Sequence, residues 1–202
     1  MIRPFGDAAL LVELESADQA QALAASLRGD PPSGLIAAVP GLASLLVELD
    51  PLSADAEWVT SFIERRIGSL EPIASSGRLH TIPVTYDGAD LGSVAELTGL
   101  APSEVVARHS STELRVLFCG FAPGFAYLGD LPSQLRVDRL ATPRTRTPAG
   151  SVAIAGSMSG IHPADLPGGW RVIGRTEVPL FDPHRDPPAL LLPGDRVRFE
   201  PA

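Results

Sequence analysis

The chain contains neither lysine nor asparagine, and all sixteen of its basic residues are arginine. The first absence excludes a P-loop lysine, a Schiff-base lysine and a biotin-bearing lysine. The second excludes an N-glycosylation sequon and a Cys-His-Asn triad. With Cys119 alone, no internal disulfide can form, and the thiol reads as a small buried apolar group rather than a nucleophile. No stretch approaches the ~20 apolar residues of a membrane span. The opening "MIRPFGDAALLVEL" has no apolar run of signal-peptide length. A soluble, cytoplasmic protein is expected, without a membrane partner. His80, His109, His162 and His184 lack metal-like spacing, so no metal is expected either.

What is present is an acidic chain with one basic island. The net charge of −8 argues against nucleic acid as a partner. Residues 1–78 hold 11 acids and 5 arginines, whereas residues 79–202 hold 13 and 11. Within 136–146, "RVDRLATPRTR" has four arginines and one aspartate. Such an island suits a small anionic ligand better than a polyanion, although a solvated surface loop would read the same way.

A length of 202 residues is comfortable for two domains. "AALLVEL" (8–14) reads as a strand. "SADQAQALAASLRGD" reads as a helix with Ser16 as N-cap and Gly29 at its end. "GLIAAVPG" and "ASLLVELD" form a hairpin. "SADAEWVTSFIERRIGS" is a second helix, with Asp55 and Glu57 at the positive end of its dipole and Trp58, Phe62 and Ile63 as its buried face. "LHTIPVTY" (79–86) completes a βαββαβ order, that of a ferredoxin-like sandwich. The small, polar "EPIASSGR" (71–78) is the expected linker, giving domains 1–78 and 79–202.

After two short helices, "DLGSVAELTGL" and "APSEVVARHSS", only short strands broken by Gly and Pro follow: "LRVLFCGF", "SVAIAG", "WRVIGRT" and "ALLLPGDRVRFEP". The last reads as a hairpin turning at Pro-Gly-Asp. Many short strands with frequent turn signals predict a closed β-barrel, so the fold class is α+β.

Three segments carry candidate chemistry. In "FCGFAPGFAYLGDLP" (118–132), Phe121, Pro123, Gly124, Phe125 and Tyr127 place large rings on an irregular backbone. Such a loop walls a ligand pocket or folds back as a satellite core. In "TPRTRTPAGSVAIAG" (142–156), Arg144 and Arg146 alternate and would share one face of an extended segment, suiting a carboxylate or phosphate. Ser151 follows Gly150 outside any nucleophile elbow, which leaves it as a hydrogen-bonding hydroxyl. In "DLPGGWRVIGRT" (165–176), Gly168 and Gly169 allow close backbone approach beside the flat wall of Trp170. His109, near the end of the second short helix, reads as a partner of the helix dipole.

In order, "GFAPGFAYLGDLP", "ATPRTRTPAGSVAIAG", "PADLPGGWRVIGRT" and "LFDP…PPALLLPGDRVRF" resemble the family of the 5-oxoprolinase B subunit, also called the KipI family or allophanate hydrolase subunit 1. The resemblance is close over about 80–202, and "RPFGDAALLVEL" fits more loosely. It implies an N-terminal α/β domain and a C-terminal cyclophilin-like barrel. It also implies one component of a hydrolase, acting with the A and C subunits in the ATP-dependent opening of 5-oxoproline, and inactive alone. The ATP would be used by the assembled complex, with no covalently bound cofactor in this chain. The aromatic loop, Arg144, Arg146 and the Pro-Gly-Gly-Trp turn would then surround a small anionic amide, with His109 among the substrate-binding residues and the catalytic residues undefined. Two other roles occur in the family, as the carboxyltransferase part of urea carboxylase and as an inhibitor of a sensor histidine kinase. The sequence departs from the family pattern at Met158-Ser159, where a Gln-Thr pair is usual, and at His162, where a Tyr is usual.

Overall fold

The structure, a computed structural model, describes residues 1–70 and 77–202 and divides into two units, Met1–Ser76 and Gly77–Ala202. The linker expected at 71–78 falls mostly on residues outside those described. Among the described residues, no helix is long and apolar enough to cross a membrane.

The first unit runs β1 (Ile2–Pro4), β2 (Ala9–Glu13), α1 (Ala17–Gly29), β3 (Leu35–Pro40), β4 (Ser44–Leu49) and α2 (Ala56–Ile67). Its antiparallel sheet has the order β1-β2-β4-β3. Strict alternation buries Leu10 and Val12 of β2 and Leu45, Val47 and Leu49 of β4 against Leu23, Leu27, Val59 and Ile63 of the helices. Ser16 caps α1 by accepting from the Gln19 N–H, and Asp55 caps α2 by accepting from those of Glu57 and Trp58. This is a ferredoxin-like sandwich with one correction. Its fourth strand is not 79–86 but β1, which takes the free edge of β2 by pairing Ile2 with Val12 and Pro4 with Leu10. A second correction concerns α2. The positions facing the sheet are Val59 and Ile63, four residues apart, while Trp58 lies at the margin, 47% exposed and stacked on Phe62.

The second unit comprises β5 (Leu79–Val84), α3 (Leu91–Thr98), α4 (Pro102–Ser111), β6 (Glu113–Cys119), β7 (Ala126–Gly129), β8 (Arg144–Thr147), β9 (Ser151–Ala155), β10 (Met158–Ile161), β11 (Leu166–Gly168), β12 (Arg171–Arg175) and β13 (Arg196–Pro201). Seven strands form one sheet in the order β12-β9-β10-β7-β6-β13-β5. The chain just beyond β5 then meets β12, where Thr85 and Arg175 exchange two hydrogen bonds of 2.9 Å, so the sheet nearly closes on itself as a barrel. Val116, Leu128, Val152, Ile154, Ile161, Val197 and Phe199 fill its interior. The expected hairpin at the C-terminal end does not form. Both edges of β13 are already occupied, by β5 in parallel and by β6 in antiparallel. In the apolar stretch 189–192, Ala189 instead bridges to Phe181 and the Leu190 N–H donates to the Leu180 carbonyl.

His109 belongs to this interior, not to a cleft. It is fully buried, stacks on Phe199, and joins Tyr86 Oη (2.8 Å, at Nδ1) to Ser159 Oγ (3.0 Å, at Nε2). Ser159 donates onward to the Ala153 carbonyl. This directionality assigns the proton to Nε2, which donates to Ser159, while Nδ1 accepts from Tyr86. Burial pushes the imidazole down to about 3, whereas an unfolded chain protonates it near ~6.5. Its contribution to stability is therefore complete above ~6.5 and is withdrawn as pH falls from there toward 3, by at most ~1.4 kcal/mol per pH unit. His109→Gln, which keeps one donor and one acceptor, should flatten the fall in urea midpoint between pH 6.5 and 4.5. Parallel pH profiles for variant and wild type would show that His109 does not contribute to it.

Candidate functional site

Inward positions of β9 are large, and outward ones are small. Val152 and Ile154 point into the barrel, leaving Ala153 and Ala155 on its outer surface. Gly160 on the neighbouring β10 continues that bare surface, because a Cβ there would stand 3.0 Å from Phe125 Cζ and 3.2 Å from Trp170 Cζ3. Small residues on the outside of a barrel leave room for something to lie against it. Here the rings do. Phe125, Tyr127 and Trp170 meet edge to face with centroids 5.0–5.8 Å apart, an arrangement the ring quadrupoles favour. Tyr127 also stacks on its cross-strand partner Phe118 at 4.1 Å.

The Gly-Pro loop between β6 and β7 holds these rings in place. Gly124 has φ +84°, and a Cβ there would come within 2.7 Å of Phe181 Cβ, so the turn needs glycine. Gly124 and Pro123 thus form the back of the loop and do not line the cavity. Phe121 has φ +73° without being glycine, an unusual conformation for a bulky residue, and its ring stands out against Phe125.

Between this loop, the Pro167-Gly168-Gly169 turn and the segment 139–143 lies a cavity of about 230 Å³. It is lined by Phe121, Phe125, Tyr127, Gly168, Gly169 and Trp170 from the segments singled out in the sequence, together with Arg139, Pro143, His162 and Pro167. The Leu140 N–H donates to the Gly169 carbonyl at 2.7 Å, which ties the arginine-bearing segment to the turn. A second, wider cavity of about 560 Å³ shares the Tyr127, Arg139 and Trp170 wall and adds Phe118, Asp138, Ser157 and Met158.

The two arginines expected in the cleft are elsewhere. Arg144 Nη2 donates at 2.7 Å to the buried Asp90. Arg146 lies outward and pairs with Asp165 through Nε and Nη2. The Asp165 carboxyl is held below the usual carboxylate range first by the Ala149 N–H and then by Arg146. Each guanidinium already has an internal carboxylate, which is why alternation alone misassigned them. Ser151 is also displaced from the expected site: it opens β9, is buried, and accepts from the His162 N–H through its carbonyl.

Sequence reasoning missed Arg139, the member of the basic island that faces the cavity. Among the described residues it has no carboxylate partner, and its stem runs beside Gly169. His162 stands in the sequence as one of four histidines without metal-like spacing and as a departure from the family pattern. It is 3% exposed and lines the cavity edge-on to Phe125. Its Nδ1 is enclosed without a hydrogen-bond partner. Burial holds the imidazole below its ordinary range, partly offset by the nearby Ser151 main chain.

Cys119 does not supply a nucleophile. Burial, with the Asp195 charge adding, pushes its thiol up to about 11, and Sγ donates weakly to the Leu191 carbonyl. Among the described residues, no three His, Cys, Asp or Glu side chains converge as a metal-holding group. The site can bind a small flat ring and one anionic group, and it offers a neutral hydrogen-bonding imidazole.

Residues 1–191 match the carboxyltransferase domain, subdomain C and D, which is the class that the sandwich and barrel define. The whole chain superposes on the crystal structure of TTHA0988 with a TM-score of 0.85 at 38% identity, spanning 40% of that longer chain. It also superposes on Kluyveromyces lactis urea carboxylase with a TM-score of 0.80, spanning 21% of that chain at 20% identity, a likeness of fold alone. It is 42% identical to the 5-oxoprolinase B subunit of Escherichia coli O157:H7, over 97% of this chain and 93% of that one. The chain belongs to the family of 5-oxoprolinase B subunits.

Proposed function

We propose that the chain is the B subunit of an ATP-dependent 5-oxoprolinase, acting with the A and C subunits to open 5-oxo-L-proline to L-glutamate, and that its aromatic cavity holds the lactam ring. The observation that carries this reading is Arg139, a guanidinium without a carboxylate partner among the described residues, at a cavity walled by Phe121, Phe125, Tyr127 and Trp170. A flat ring bearing one carboxylate matches both features, since guanidinium binds carboxylate bidentately and aromatic walls cover the ring. The volume of about 230 Å³ falls below the ~300–1,000 Å³ of drug-sized sites, so the ligand is small. A lactam carbon is a poor electrophile, so the assembled complex would use ATP to activate it, and the supply of ATP would place that complex in the cytoplasm. This chain has no P-loop lysine with which to hold the phosphates. Among the described residues no carboxylate lines the cavity with His162, which supports turnover that depends on the other subunits.

The test is reconstitution. The chain alone should show no 5-oxoproline-dependent ATP hydrolysis, and the three-subunit mixture should show it. Arg139→Ala should weaken 5-oxoproline binding by about 10- to 100-fold, because a hydrogen bond to a charged group contributes ~1.5–3 kcal/mol. Arg139→Lys should recover only part, since an ammonium cannot form the two-pronged contact. Turnover by the chain alone, or unchanged affinity in Arg139→Ala, would overturn the reading.

A further inference from the structure

Beside the Tyr127 hydroxyl and the Trp170 N–H, the cavity wall carries two side chains of opposite character, Arg139 and His162. Arg139 is permanently charged and exposed. His162 lies in the apolar wall formed with Phe125, Trp170 and Pro167, and among the described residues no carboxylate pairs with it. Both its neighbours and its burial disfavour a charge. The ring is also fixed in place. A Cβ on Gly168 would stand 2.9 Å from His162 Nε2 and 3.0 Å from Thr147 Oγ1, so only glycine lets the imidazole and the hydroxyl pack so closely on the β11 backbone. Backbone bonds on either side of His162 hold its segment, with its N–H donating to Ser151 and its carbonyl accepting from Gly150.

With Nδ1 enclosed, a neutral imidazole can offer one hydrogen bond to a ligand through Nε2, donating to an amide carbonyl or accepting from its N–H. It cannot neutralise a second carboxylate. We infer that His162 is the residue that recognises the amide of the bound ligand, and that it makes the cavity select a closed lactam acid over its ring-opened dicarboxylate. The inference rests on the proposed 5-oxoproline reading of the cavity and adds a direction to it. Hydrolysis cleaves the ring C–N bond and places the oxygen of water on the carbonyl carbon. The nitrogen stays on the product as an ammonium, and the second carboxylate appears against an apolar wall where, among the described residues, Arg139 is the one cation of the lining. Arg139 can hold one carboxylate, and the other is left desolvated and unpaired, which is costly. The product is thereby expelled by the site that held the substrate.

The experiment titrates the full chain with three probes: 5-oxo-L-proline, cyclopentanecarboxylate (the same ring and acid without the amide) and L-glutamate. Wild type should bind 5-oxo-L-proline roughly tenfold or more tighter than either of the others, about what one hydrogen-bonded polar group contributes. His162→Phe keeps a flat ring without polar atoms and should bind the two ring acids equally. His162→Gln keeps a donor and an acceptor and should retain most of the preference. His162→Arg adds a second cation and should bring glutamate up to or above 5-oxo-L-proline. A preference for 5-oxo-L-proline that persists in His162→Phe overturns the inference while leaving the reading of the cavity intact. So does equal binding of the two ring acids by wild type, a comparison that needs no variant to fold. No binding of any acid by wild type overturns both.

Discussion

Replacing Asp90 by alanine should destabilise the barrel by about 3 kcal/mol, the lower end of the range for breaking a buried ion pair, because Arg144 is 31% exposed. Asp90 is itself 7% exposed, and it fastens three things at once. Oδ1 accepts from Arg144 Nη2 at 2.7 Å, Oδ2 accepts from the Val172 N–H at 2.7 Å, and its own N–H donates to the Val172 carbonyl at 2.9 Å. Truncation leaves the Val172 donor unmet and strands a guanidinium whose Nη1 is already enclosed without a partner. Asp90→Asn, which keeps the shape and one acceptor, should cost less. The contrasting variant is Arg146→Ala. Its pair with Asp165 is open to solvent, and such pairs contribute little, so the melting transition should barely move. Urea unfolding followed by circular dichroism reads all three. An Asp90→Ala midpoint within experimental error of wild type would show that the seam is held by its backbone alone.

Gly88→Ala should be as damaging, by about 3 kcal/mol or more, at the top of the range for overpacking. An added Cβ would stand 2.3 Å from the Ile173 carbonyl carbon and 2.4 Å from the Val172 oxygen. Both are main-chain atoms of β12, so no side-chain rotation can relieve the clash. Residues 85–90 close the barrel on β12, and the Gly88 N–H itself donates to the Ile173 carbonyl at 3.2 Å. Forcing the two segments apart should open the seam first. Amide exchange should then accelerate at Thr85, Asp90 and Arg175 before it does in the β6–β13 pair. Gly92→Ala provides the reference: a Cβ there meets nothing within 4 Å, and in helix α3 alanine should be neutral or stabilising by up to ~1 kcal/mol. A wild-type midpoint for Gly88→Ala would require the seam to be looser than its hydrogen bonds imply.

These two sites also explain why part of the molecule was legible in the sequence. Period-two patterns in "AALLVEL", "SLLVEL" and "SVAIA" alone dictate strands, and the caps Ser16 and Asp55 mark helix starts by local hydrogen bonding. The clustering of rings with Gly and Pro in 118–132 marked a loop built to present side chains. Phe121, Phe125, Tyr127, Gly168, Gly169 and Trp170 do converge on one cavity. Those signals are local, since each depends on residues within a turn or two.

Pairings between distant segments were not legible. Nothing within 2–4 announces that this short strand will take the edge of β2, or that β13 will have both its edges filled by β5 and β6. Arg144 and Arg146 looked like a ligand clamp because alternation places them together, but the acids that hold them, Asp90 and Asp165, come from other parts of the chain. Arg139 belongs to the same island and looked no different from its neighbours. It stands free at the cavity because the Pro-Gly-Gly turn draws its segment there through the Leu140–Gly169 bond. His109 and His162 are equally anonymous in sequence, and folding sends one into the barrel between Tyr86 and Ser159 and the other into the cavity wall. The sequence by itself determined the elements, the β-rich second half and the residue types available for chemistry, because propensity, capping and periodicity act over a few residues. Only the tertiary structure decided which charge is already paired and which is left for a ligand, because a guanidinium is satisfied by whatever carboxylate the fold brings within about 3 Å, however far away in the chain that carboxylate lies.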